Sequence, residues 1–146
     1  MIHALNLTDN LLLSTAMTNS ATQTANLDCL GADWATIKLC ITATTSGTNF
    51  TGPTISLLES HDTVVTNFVT VTANRTAETS PSRKLVKYER DLRAGKRYLR
   101  LSVTTATTTH DNIVISAIGT TYRLAAAPAS TSGMVASTND VVVLVT

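Results

Sequence analysis

The sequence predicts an all-β chain: one β-sandwich of about eight short strands, with Greek-key or jelly-roll connections and extended terminal segments. Three observations predict it. Threonine, which is β-branched and favoured on half-buried pleated surfaces, makes up about one residue in five. Apolar and polar residues alternate with period two in several separate runs. Helical spacing persists nowhere over three turns, and turn-forming residues cluster between the runs. With 146 residues, 43% of them apolar, the chain suffices for one domain with a core of its own.

Residues 1–25 are polar and rich in Thr, Ser and Asn; they read as an N-terminal arm or as a first strand near Asn10–Thr15. The sandwich core is expected over 26–128. Its clearest strand is Ala35–Thr42, with Ile37, Leu39 and Ile41 on one face and Thr36, Lys38 and Thr42 on the other. Trp34, the only tryptophan, stands before it and is expected in the core. A loop over 44–53 contains Gly47, Gly52 and Pro53. Ile55, Leu57 and Glu59 begin a second strand, Ser60-His61-Asp62 turns the chain, and Val64–Thr72 returns as a third, so that the two form a hairpin.

A loop over 74–82 contains Pro81. Leu85–Arg90 is the fourth strand, Asp91–Gly95 a turn, and Lys96–Val103 the fifth, in which Arg97, Leu99 and Leu101 oppose Lys96, Tyr98 and Arg100. After a polar connection over 104–111, Ile113–Ile118 and Thr121–Ala126 follow as two strands divided by Gly119. Residues 127–138 are small-residue coil; the C-terminal linker and final apolar strand occupy 129–146. The strand itself, Val141–Val145, has five consecutive apolar residues. That suits a strand covered on both faces within the domain, or one covered by another subunit.

The charged fraction is only 14% and the net charge +1, so no global field draws the chain to nucleic acid or to a membrane. No run of apolar residues is long enough for a spanning helix, and Met1–Leu5 lacks the basic start of a secretory leader. The expectation is a protein made in a cytosol that keeps its first residues. Cys29 and Cys40 read as two small apolar groups, with a disulfide as the alternative and no further ligands for zinc.

No catalytic constellation is legible. His3, His61 and His110 fall in an N-terminal segment, a turn and a polar loop. No nucleophile elbow, phosphate-binding loop or dinucleotide fingerprint occurs. Glu59, Asp62 and Asp111 are too sparse for a calcium site, and the N-x-T sequences at Asn6, Asn49 and Asn74 arise by chance in a threonine-rich chain. The expectation is therefore a non-enzymatic chain with no catalytic residues, cofactor or metal.

One feature exceeds background. Eight of the eleven basic residues fall between Arg83 and Arg100: Arg83, Lys84, Lys87, Arg90, Arg93, Lys96, Arg97 and Arg100, opposed there only by Glu89 and Asp91. On two neighbouring strands they form a basic patch. It is either a solvated face that guards a sheet edge, or a contact for carboxylates of a protein partner. Nucleic acid fits less well, because the rest of the chain is neutral and aromatics for stacking are few. Tyr88 and Tyr98 lie within the cluster, and tyrosine with arginine is the composition of protein interfaces. Val141, Val143 and Val145 join them as candidate partner-binding residues.

Three segments carry a resemblance: Asp33-Trp34-Ala35-Thr36-Ile37, then Ile55-Ser56-Leu57-Leu58-Glu59-Ser60-His61-Asp62, then Gly95-Lys96-Arg97-Tyr98-Leu99-Arg100-Leu101. Over roughly Leu27 to Pro128 the chain resembles small virion proteins of tailed bacteriophages, of the capsid decoration or cement type. It departs from them at His61, where an acid is common, and its N-terminal segment and valine tail have no counterpart. The resemblance implies a jelly-roll-like structural protein on the capsid surface, made in the host cytoplasm. Its partner would be the major capsid protein, and it would form a homo-oligomer, dimer or trimer, on the shell. The competing expectation is a receptor- or glycan-binding module of a head fibre or tail.

Overall fold

Alternating strands bury one side only, and this chain buries those sides by passing repeatedly between two facing sheets. The computed structural model describes residues 5–43, 52–71, 75–76, 84–93, 95–106, 113–123 and 140–145. They contain β1 (Leu5–Met17), β2 (Thr22–Asp28), β3 (Trp34–Ala43), β4 (Thr54–Ser60), β5 (Val69–Thr70), β6 (Arg75–Thr76), β7 (Lys84–Asp91), β8 (Tyr98–Thr104), β9 (Ile113–Arg123) and β10 (Asp140–Val145). The first sheet has the order β1-β9-β3-β7-β10; the second has the order β2-β8-β4-β5, with β6 also on β4. Pairing is antiparallel except where β10 lies parallel to β7. The fold is an all-β sandwich, and eight of its described strands have six or more residues.

The expected alternation in β3 sets the core. Ile37, Leu39 and Ile41 point inward with Ile113, Ile115 and Ala117 of β9 and Val86 and Tyr88 of β7. They meet Leu27, Ile55, Leu57, Leu99, Leu101 and Val103 of the second sheet, all essentially without solvent contact. Burying each such aliphatic side chain stabilises the fold by roughly 1.5–3 kcal/mol. The turn from β1 to β2 changes sheet. It is pinned by the buried Thr105 hydroxyl, which donates to the Thr18 carbonyl (2.6 Å) and accepts from the Ala21 amide (2.9 Å). Ser20 in that turn has φ 56°, the left-handed region that non-glycine residues rarely adopt.

Of the two readings of the N-terminal segment the strand holds: it runs 13 residues and pairs with β9. Other expectations change, and Thr22–Asp28 is a strand running through the expected boundary at residue 25. Both are edge strands in which few side chains are buried, so their periodicity is faint. Of the third expected strand, Val64–Thr72, the described residues are strand only at Val69–Thr70; Val65–Asn67 forms a single 3₁₀ turn. The hairpin survives as Leu58 opposite Thr70 and Glu59 opposite Val69. Arg75–Thr76, within an expected loop, pairs with the start of β4.

Gly119 does not divide two strands. It lies mid-way along β9, where a Cβ would stand 3.0 Å from both Leu12 Cδ1 and Leu27 Cδ2. Glycine is there for close packing rather than for a turn. Cys29 and Cys40 are both free thiols, the first buried and the second half-buried. Trp34 is buried, but on the outward row of β3 beside Tyr122 and Asp91, not between the sheets. Residues 1–4, 44–51, 72–74, 77–83, 94, 107–112, 124–139 and 146, with His3, His110, Asp111, Asn49 and Asn74 among the candidates, lie outside the described residues.

Candidate interaction surface

The basic cluster does not form a patch on two neighbouring strands. β7 pairs with β3 and β10 in the first sheet, whereas β8 pairs with β2 and β4 in the second. The reason lies in the short link over 92–97, which crosses between the sheets. The Leu92 amide donates to the Asp33 carbonyl (2.8 Å), the Gly95 amide to the Leu92 carbonyl (3.0 Å), and the Cys29 amide to the Arg97 carbonyl (2.8 Å). Residues contiguous in sequence are thereby dealt to different faces.

Most of the cations then find partners within the chain. Lys87 Nζ lies 2.6 Å from Glu89 Oε1 on the outward face of β7. Arg90 continues the inward row of Val86 and Tyr88, and its guanidinium meets Glu59 of β4 at 3.0 Å, tying one sheet to the other. Arg93 Nε donates to Asp91 (3.0 Å), and its guanidinium lies 5.9 Å from the Trp34 ring centre. Arg97 forks onto Asp28, with Nε at 3.0 Å and a terminal nitrogen at 2.7 Å, and stacks 4.8 Å from the Tyr98 ring centre. Arg100 Nε donates to the Asn26 side-chain carbonyl (2.8 Å), and its guanidinium sits 3.6 Å from the Phe68 ring centre.

Tyr88 is buried in the core, Tyr98 half-buried under Arg97, and Lys96 half-buried. Arg83 lies outside the described residues. Lys84, Val141, Val143 and Val145 are described by their strand pairing and not by their side chains. Sequence reading weighed only Glu89 and Asp91 against the cluster. The other two carboxylates come from 31 and 69 residues away, Glu59 and Asp28, and only the sandwich brings them in.

These contacts shift acidities. The hydrogen bond from Arg93 pulls the Asp91 carboxyl down to about 2, and that from Arg97 holds Asp28 below the usual carboxylate range. Asp62 is also lowered, first by the Asn67 side-chain amide (2.9 Å) and then by the Val64 amide (2.9 Å), which fix the turn after β4. Burial pushes the Cys29 thiol up to about 12, so it is no nucleophile at neutral pH.

The surface that sequence reading missed is the outward face of the first sheet. Leu11 is 70% exposed and lies directly opposite Ile118, itself 45% exposed; Val114 and Leu85 add to them, with Lys38 and Cys40 in the adjoining strand. The signal was present in Ile113-Val114-Ile115-Ser116-Ala117-Ile118, which places apolar residues on both alternations, so that Val114 and Ile118 fall on the wet side. On the side where β1 and β2 diverge, an open groove of about 750 Å³ is lined by Thr8, Asn10, Thr24, Asn26 and Asp28 over a floor that includes Leu12 and Leu27.

Among the described residues no group of three or more His, Cys, Asp or Glu side chains could hold a metal ion, and no helix is long and apolar enough to cross a membrane. On the outward face of the first sheet these aliphatics lie near the Lys87–Glu89 ion pair. No protein-family model matches the chain, and no curated protein matches it.

Proposed function

We propose that the chain is a viral structural protein that binds the outside of an assembled phage capsid and reinforces it by bridging capsid subunits. Its partner is the major capsid protein, and its place is the virion surface, as a dimer or trimer on the shell. The observation that carries the reading is the outward aliphatic face of the first sheet, Leu11, Ile118, Val114 and Leu85 around Lys38. Exposed apolar groups in a sheet already stabilised by its own core serve a partner rather than the fold. The resemblance of three segments to small phage virion proteins points to the class of partner. Binding the assembled shell but not its separated subunits stabilises the shell by mass action. Arg93 and Arg97, both exposed in their surface ion pairs, can share their charge with carboxylates at the rim of such a contact.

Cosedimentation with assembled capsids, and with unassembled subunits of the same particle, tests the reading. The protein should pellet with shells and leave free subunits in solution, and L11E/I118K should stay in the supernatant. A double variant that decorates shells like the parent removes this face from the interface. A parent that ignores assembled capsids removes the function.

The groove between β1 and β2 favours a second reading. Its hydroxyl and amide lining suits the hydroxyl groups of a glycan, as expected of a fibre or tail module. Glycan-array signals that N10A and T24A abolish would favour it over the first.

A further inference from the structure

Of the sheet edges formed by the described residues, three carry recognisable protection against pairing with another chain. β1 has Asp9 and Asn10 and a register shift between Leu11 and Leu13. β2 interleaves Gln23, Asn26 and Asp28, and β5 is two residues long. Charges, bulges and brevity are the usual devices that blunt an edge. β10 has none within Val141–Val145: no Lys, no Pro and no register shift along six consecutive pairs with β7. Only its β7 side is paired among the described residues.

We propose that this edge pairs with the same edge of a second copy, antiparallel across a two-fold axis near Val143. The two first sheets then form one continuous sheet of ten strands, twice the five in each. The sequence supports a second copy as the occupant because the strand is complementary to itself. About that axis Val141 stands opposite Val145, Val142 opposite Leu144 and Val143 opposite its own counterpart, so each pair is aliphatic. Asp140, the one charge in the strand, stands outside the pairs formed by Val141–Val145. A strand of six residues spans about 20 Å, so the contact is small and the dimer dissociates on dilution. The proposal deepens the homo-oligomer part of the reading above. It rests on that reading only for the setting, where copies crowded on a shell meet at high effective concentration and present two aliphatic faces side by side.

Sedimentation velocity of the full chain from micromolar to millimolar concentration tests it without any capsid. The parent should pass from monomer to dimer. The variants V142K/L144K and V142E/L144E change positions in register with Lys87 and Glu89, leaving the rows of Val86 and Tyr88 intact. Each should stay monomeric alone, and an equimolar mixture should recover a dimer. A parent that stays monomeric, or either variant dimerising as the parent does, overturns the proposal. Hydrogen exchange on the parent gives a second readout independent of any variant's folding. Protection at 141–145 should rise with concentration, and protection that ignores concentration also overturns it. If self-association fails while shell binding persists, only this inference falls.

Discussion

On the second sheet, the outward row through the middle of β8 carries Arg100, flattened under the Phe68 ring and hydrogen-bonded to Asn26 on the next strand. On the first sheet, the corresponding outward row through β9 carries Ile118, with Leu11 beside it on β1 and more than two-thirds exposed. Both rows follow the same alternation. In one, a polar side chain is covered by a loop that folds back over the sheet, held by Asp62 and the 3₁₀ turn. In the other, apolar side chains remain on the surface. The difference separates two treatments of an outer face: one is covered by the chain itself, whose covering loop in turn exposes Val65 and Val69, and the other keeps apolar side chains of the sheet exposed.

The largest test bears on what ties the two sheets together. Glu59→Ala leaves the Arg90 guanidinium at the end of the inward row without its carboxylate, and Arg90 Nε already has no hydrogen-bond partner. The expected loss is about 2–4 kcal/mol in urea unfolding, because an unpaired, mostly buried charge remains. An unchanged midpoint would mean that the sheets are held by apolar contact alone. Next, Arg100→Ala should cost about 2 kcal/mol through the lost stack and hydrogen bond. Ile118→Ser on the other outer face should cost no more than about 0.5 kcal/mol. Equal losses at the two sites would erase the contrast between a face that completes the fold and one that does not.

A smaller effect probes the inner side of the same strand as Ile118. Gly119→Ala brings a methyl against the tips of Leu12 and Leu27, which can yield by a few tenths of an ångström; the expected cost is about 1 kcal/mol. A stabilised variant would show that Gly119 is not required for close packing.

The smallest effect concerns acid. Asp91 titrates at about 2 in the folded chain against 3.8 ordinarily, and Asp28 is lowered in the same sense. Carboxyls depressed by folding add stability that is fully present above their unfolded pKa and is lost as pH falls through the folded one. The melting temperature should therefore decline between about pH 4 and pH 2, and Asp91→Asn should make that decline shallower. A profile that Asp91→Asn leaves unaltered would detach the Arg93 pair from stability.

The sequence made the sandwich legible where one strand face is buried and the other wet. Ile37, Leu39 and Ile41 in β3, and Leu99, Leu101 and Val103 in β8, announce themselves by period two. β1 was legible only as an alternative, a first strand near Asn10–Thr15, and β2 escaped because every position but Ala25 and Leu27 is polar and only Leu27 is fully buried. Strand partnership beyond the one hairpin escaped. Lys87 and Arg100 lie close in sequence, yet β7 and β8 belong to opposite sheets, and no local pattern encodes which strand a chain will join next. The aliphatic outer face was readable in principle, since Val114 and Ile118 break the alternation of β9, but a hydrophobic run is equally a sign of a strand buried on both sides.

The two thiols differ in a way that equips the molecule for measurement. Cys29 is sealed in the core with its acidity suppressed, whereas Cys40 is half-buried on the outward row of the first sheet, one strand from Ile118's own. A single maleimide dye would therefore attach at Cys40 without mutagenesis. Its emission would change colour or polarisation when that side of the molecule meets another surface, so the native chain comes with its own reporter.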